Sequence, residues 1–138
     1  MNRIDLVKKA QAAADQLLQR KGYISLVEVL LEMGCLSKAN YERWRFRQVP
    51  HLEKVLPGSL NQHSYLCHQM RLYARDKLKL RPSRTAYFSW GKGQRRPLRF
   101  SKHGQPQLEE LWSTHYISPG LATTKKTQQP ESLVSQLS

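Results

Sequence analysis

Acidic side chains are scarce in this chain: 10 Asp and Glu stand against 23 Lys and Arg, for a formal net charge of +13. An excess of that size resists self-association and attracts polyanions. Cysteine is almost absent as well. Cys35 and Cys67 lie in apolar, helix-patterned surroundings, and two thiols make no disulfide framework, so a reducing compartment fits best. No apolar run approaches the roughly 18 residues of a membrane span. Charges recur through the first twenty residues, which leaves no apolar core for a secretory signal. The expected location is the cytoplasm, associated with the nucleoid, or the nucleus if the source is eukaryotic, with no membrane partner.

Paired carboxylates are also missing where catalysis would need them. Between Lys38 and Gly104 the acids are Glu42, Glu53 and Asp76, none beside another, so a metal-dependent nuclease has no ligand set. A metal-free nuclease built from His103 or His115 with Lys102 or Tyr116 has no supporting spacing. His63 and Cys67 stand at i and i+4 and could offer two zinc ligands from one helical turn, but Cys35 and His51 would have to join from distant segments, and no finger spacing is present. Buried cysteines in a core are the simpler reading. Gly91-Lys-Gly93 is too short for a phosphate-binding P-loop, which needs a longer glycine loop ending in Gly-Lys-Ser/Thr. The expectation is no enzyme, no metal and no cofactor.

What the chain does have is concentrated cation. Residues 38–104 hold sixteen basic and three acidic groups, whereas 1–37 hold five and four, and 105–138 hold two and three. Each Lys or Arg that neutralises a phosphate releases a condensed counterion, so such a cluster suits a nucleic acid. A solvated basic face with no partner is the bland alternative, and the interleaved aromatic residues argue against it.

The 138 residues allow one domain with a modest core. Apolar positions Ile4, Val7, Ala10, Ala14, Leu17 and Leu18 recur at helical spacing and predict a helix over 4–21, stopped by Gly22. Ser25-Leu-Val-Glu28 is a capping box opening a helix over 25–33. Gly34 suits the left-handed residue after it, and Ser37 caps a third helix over 37–49. Helix, glycine turn and a second helix bearing Lys38, Arg43, Arg45 and Arg47 make the outline of a helix-turn-helix, in which an almost uncharged helix supports a groove-facing one.

Ser59 opens a long helix over 60–80, with Leu66, Met70, Tyr73 and Ala74 on one face and Arg71, Arg75 and Lys79 at i, i+4 and i+8 on the other. After Pro82 the period changes to two. Thr85-Ala-Tyr-Phe-Ser-Trp90 reads as a strand that pairs with Leu98-Arg-Phe100 in a hairpin over 84–101. Its tip, Gly91-Lys-Gly-Gln-Arg-Arg-Pro97, is cationic and glycine-rich, and in outline it resembles the wing of winged-helix proteins. A last helix is expected over 106–115, and 118–138, poor in large apolar groups, reads as an unordered tail.

The expected fold is therefore mainly α with one β-hairpin (α+β), a small single domain of helix-turn-helix type and winged-helix-like, covering 1–117. The expected function is binding of nucleic acid, duplex DNA ahead of RNA, as a regulator or accessory subunit of a DNA-processing complex that includes other proteins. The candidate phosphate-facing residues are Lys38, Arg43, Arg45, Arg47, Arg71, Arg75, Lys79, Arg84, Lys92, Arg95, Arg96, Arg99 and Lys102. Tyr41, Trp44, Phe46, Tyr87, Phe88 and Trp90 keep open a rival in which rings stack on unpaired bases of RNA or single-stranded DNA, as in a ribonucleoprotein subunit. An adaptor whose basic face meets an acidic protein is the other alternative.

Overall fold

Small side chains let the first helix sit deep in the molecule. In the computed structural model, which describes residues 3–118, α1 (Arg3–Lys21) buries Ala10, Ala13, Ala14 and Leu17. It packs against α2 (Leu26–Met33) and α4 (Leu60–Leu72). Between α1 and α2 the chain forms β1 (Tyr23–Ile24), a two-residue strand the sequence pattern did not announce. The serine caps form as expected, although at Ser25 the Glu28 carboxylate accepts from Ser25 Oγ at 2.9 Å and not from the Ser25 N–H of a full capping box. Ser25 Oγ accepts from the Glu28 N–H at 3.2 Å, Ser37 Oγ from Asn40 N–H and Ser59 Oγ from Gln62 N–H, both at 3.1 Å. Each satisfies one of the amides a helix start leaves without a carbonyl partner.

Gly34 takes φ 82 and turns α2 into α3 (Lys38–Arg45), so a helix–glycine turn–helix unit is present. α3 ends sooner than the expected residue 49. Gln48 N–H bonds to Arg43 O and Arg47 N–H to Trp44 O, which is a Schellman cap with Arg47 in the left-handed position at φ 58. The helix over 60–80 also differs from its expectation. α4 stops being α-helical at Leu72 and continues as a π turn, Tyr73–Lys77, and Lys79 lies beyond it at φ 56.

The strand pairing is the main correction. A ladder was expected within 84–101, but β2 (Arg81–Arg84) pairs antiparallel with β3 (Thr114–Ile117), in register Arg81↔Ile117 to Arg84↔Thr114. β3 also pairs with β1, giving the order β1-β3-β2. The chain does reverse at the expected glycine loop, yet its arms share a single bridge, Phe88↔Pro97, flanked by Ser89 N–H to Arg96 O and Leu98 N–H to Tyr87 O. Pro97 has no N–H to extend a ladder, and Gly91 and Gly93 at positive φ bend the backbone away from one. The last helix, α5 (Pro106–Ser113), gives way to β3 two residues before its expected end, because His115, Tyr116 and Ile117 are buried between two strands there.

Trp44, Trp112, Tyr116, Leu52 and Met70 are among the fully buried side chains of the one core, which draws on every helix and on β1 and β3, while β2 contributes none. Together these elements form a small α+β domain. No helix among the described residues is long and apolar enough to cross a membrane. Most of the tail expectation, from residue 119 on, lies outside the described residues.

Candidate nucleic-acid interface

The C-terminal half of α3 is bolted to the basic loop from both sides. Trp44, 1% exposed, donates its indole N–H to Arg99 O at 2.8 Å, and the Arg45 carbonyl accepts from Trp90 N–H at 2.7 Å. The 3₁₀ turn Leu52–Val55 adds Leu52 N–H to Arg99 O and Glu53 N–H to Phe100 O. Rings fill the space between: Trp44 packs on Tyr87 and Phe100 at 5.5 and 5.1 Å, and Phe100 stacks on Trp112 at 6.1 Å with planes 2° apart.

Two carboxylates fasten the far end of the loop. Glu109 accepts from the N–H groups of Phe100 and Ser101 and from Ser101 Oγ, the last two at 2.7 Å. Glu53, only 6% exposed, accepts from Lys102 N–H and from the Trp112 indole at 3.1 Å. Together these bonds hold the backbone at the base of the loop in place, and neither carboxylate is in an ion pair with a Lys or Arg among the described residues. The Glu53 anchor was not legible beforehand, since its partners lie 49 and 59 residues away.

Arg45 corrects one expected site residue. It does not face outward: it is 7% exposed, with its guanidinium 4.7 Å from the Trp90 ring centre, 5.3 Å from Tyr87 and 5.9 Å from Tyr41. It is the cation inside an aromatic cage that cements α3 to the loop. A desolvated cation–π contact is worth about 2 kcal/mol or more. Tyr87 also bonds His115 Nε2 at 3.0 Å, and burial of its hydroxyl pushes the phenol pKa well up, so it remains a neutral hydrogen-bonding group.

With the mount made of Trp44, Arg45 and Trp90, the other cations of the two segments stay outside. Lys38, Arg43 and Arg47 on α3 and its cap are exposed, as are all of residues 91–97, including Lys92, Arg95 and Arg96. None of these six is in an ion pair among the described residues; the pairs Arg20–Glu32 and Lys21–Glu28 lie on α1 and α2. A third group sits at the base of the loop. There Arg99 donates to Lys102 O at 3.1 Å, and the His51 imidazole is held below its usual pKa by burial first and then by the charges of Arg99, Lys54 and Lys102, against the opposing charge of Glu109. Lys54 was missed in the sequence because Glu53 beside it masked its charge; the structure turns Glu53 inward and leaves Lys54 exposed.

The α4 cations are not brought into this assembly by any hydrogen bond or ring contact among the described residues. Arg71 and Arg75 act instead on the buried Tyr116 of β3, lowering a phenol pKa that burial raises. The π turn between Arg71 and Lys79 breaks the i, i+4, i+8 register on which their stripe depended. Arg84 is exposed and donates to Ser113 Oγ at 2.8 Å, on the β2 side.

His63 and Cys67 are both buried; His63 Nε2 lies 2.7 Å from Pro57 O, and burial raises the Cys67 thiol well above its ordinary pKa. Among the described residues no three His, Cys, Asp or Glu side chains converge as metal ligands would. No protein-family model, curated protein or solved structure matches the chain.

Proposed function

We propose that this protein binds duplex DNA through the exposed face of α3 together with the loop 91–97, as a regulator or accessory subunit of a DNA-processing complex. The observation that carries the reading is the double lock between the helix and the loop. Trp90 N–H to Arg45 O and the Trp44 indole to Arg99 O hold two cationic segments, more than 40 residues apart in sequence, side by side, while their outward Lys and Arg are in no ion pair among the described residues. A helix beside a flexible glycine-rich strand of cations suits a groove and its flanking phosphates. Lys54, Arg99 and Lys102 extend the same charge toward the base of the loop.

Replacing Lys92, Arg95 and Arg96 together by Ala tests the assignment. Binding to a 20-base-pair duplex, followed by fluorescence anisotropy from 50 to 300 mM salt, is expected to weaken. The slope of log affinity against log salt should become shallower by up to about 2.7, since each phosphate contact contributes about 0.9. An unchanged slope would remove the loop from the interface.

A further inference from the structure

One side chain in this surface has the wrong chemistry for phosphate. Phe46, the C-cap residue of α3, is 47% exposed and stands between Arg45 and Arg47 in the chain. A lone exposed phenyl is ordinary on a protein surface. This one is braced. Its N–H is held by Glu42 O, its ring packs edge-on against Trp90 at 5.6 Å and 78°, and the backbone of Gly91 passes beneath it. A Cβ added at Gly91 would sit 3.5 Å from Phe46 Cδ1. The ring is thus fixed on one edge while the rest projects, at the junction of the two cationic segments.

We propose that Phe46 is an apolar wedge that stacks on an unpaired or unstacked base, so that the preferred ligand is a DNA duplex carrying such a base instead of a regular one. The inference rests on the DNA-binding reading above. The charge around the ring selects a polyanion, and the largest apolar surfaces a nucleic acid offers to a phenyl are the flat faces of its bases, the thymine methyl of the major groove being much smaller. In a regular duplex those faces are covered by their neighbours. An unpaired base exposes one without the cost of unstacking it, and wedge residues of this type are used to enter a base step.

The test compares two probes with equal phosphate number: a 20-base-pair duplex, and a duplex of the same charge whose centre holds an unpaired 2-aminopurine. The full chain should bind the second about 5- to 150-fold more tightly, equivalent to about 1–3 kcal/mol of base–aromatic stacking, and should quench the 2-aminopurine fluorescence. Phe46→Leu, which keeps apolar contact with Trp90 but has no ring, should lose both the preference and the quenching while binding the regular duplex within about twofold of the parent. Phe46→Trp should retain both. Equal binding of the two probes by the parent protein, or a preference that survives Phe46→Leu, overturns the wedge and leaves the DNA-binding reading standing. An equal loss of affinity for both probes in Phe46→Leu also overturns it, because the side chain is then ordinary contact area. Failure to bind either probe at 50 mM salt removes both.

Discussion

Arg47 allows the demands of folding and of binding to be separated in one residue. It closes α3 in the left-handed conformation, φ 58, at the position of a Schellman cap where glycine is usual. For a residue with a Cβ that conformation costs about 1–2 kcal/mol. Glycine avoids the clash but loses about 0.5–1 kcal/mol more through its greater freedom in the unfolded chain. The difference leaves Arg47→Gly more stable than the parent by about 0.5–1 kcal/mol, or about 2–4 °C in melting temperature for a domain of this size. The same change removes an exposed cation with no ion-pair partner among the described residues, so DNA affinity should fall and its salt slope should become shallower by about 0.9. Arg47→Ala is the control: it loses the same charge but keeps the strained geometry, so its melting temperature should stay near the parent's. Calorimetric melting of the three proteins, paired with anisotropy titrations at several salt concentrations, reads both effects. If the glycine variant melts no higher than the alanine variant, the left-handed cap is not where the strain resides. If both keep the parent's salt slope, Arg47 is not a phosphate ligand.

Two other changes probe the mount of the loop. Glu109→Ala leaves the N–H groups of Phe100 and Ser101 without their acceptor, at about 1–3 kcal/mol for each donor left buried; urea denaturation should show a loss of about 2–6 kcal/mol, and a midpoint unchanged from the parent's would mean that the carboxylate is not an anchor. His51 caps the 3₁₀ turn by accepting the Lys54 N–H on Nδ1 at 3.1 Å, which requires a neutral ring. Its pKa is lowered on folding, chiefly by burial and then by Arg99 and Lys54. The unfolded chain therefore takes up the proton more readily, so this contribution is complete above about pH 6.5 and is lost as the pH falls below that value. His51→Asn keeps a capping oxygen and cannot titrate. Melting temperatures of parent and variant between pH 7.5 and 5 should show the smaller decline in the variant, and parallel curves would exclude His51 as a source of the acid sensitivity.

Local chemistry was the legible part of the fold. Three Ser caps and the Gly34 turn act within three or four residues, and each forms as its spacing indicates. What sequence spacing could not reveal is pairing decided by distant partners. Thr114–Ile117 continues a helical pattern from α5, but β1 lies free on one side and β2 on the other, and the strand between them satisfies both backbones. Tertiary pairing overrides a helical tendency at so short an element. Similarly, alternation in 85–90 puts Tyr87 and Phe88 on opposite faces without saying which is core, and in the structure Tyr87 packs against the core while Phe88 is exposed; nor does it carry information about the proline opposite, which limits the hairpin to one bridge.

For the site, charge was legible but the direction of each charge was not. Arg45 and Arg47 look equivalent in sequence, two cations on one short helix. Their fates diverge because Tyr87 and Trp90, contributed from some 40 residues downstream, close over Arg45, whereas the left-handed turn puts Arg47 outside that cage. The ring faces replace the water that a buried guanidinium would otherwise miss, so a like charge can be tolerated at the centre of a cationic region. Consequently adhesion and exposed charge belong to different residues: Trp44, Arg45, Trp90, Glu53 and Glu109 join the helix to the loop, and Lys92, Arg95 and Arg96 take no part in that joint through their side chains. Truncating the three tip cations leaves every one of those contacts in place. A binding loss in that triple variant therefore measures phosphate contact itself, whereas the same loss produced by disturbing Arg45 would report only that the loop had come away from α3.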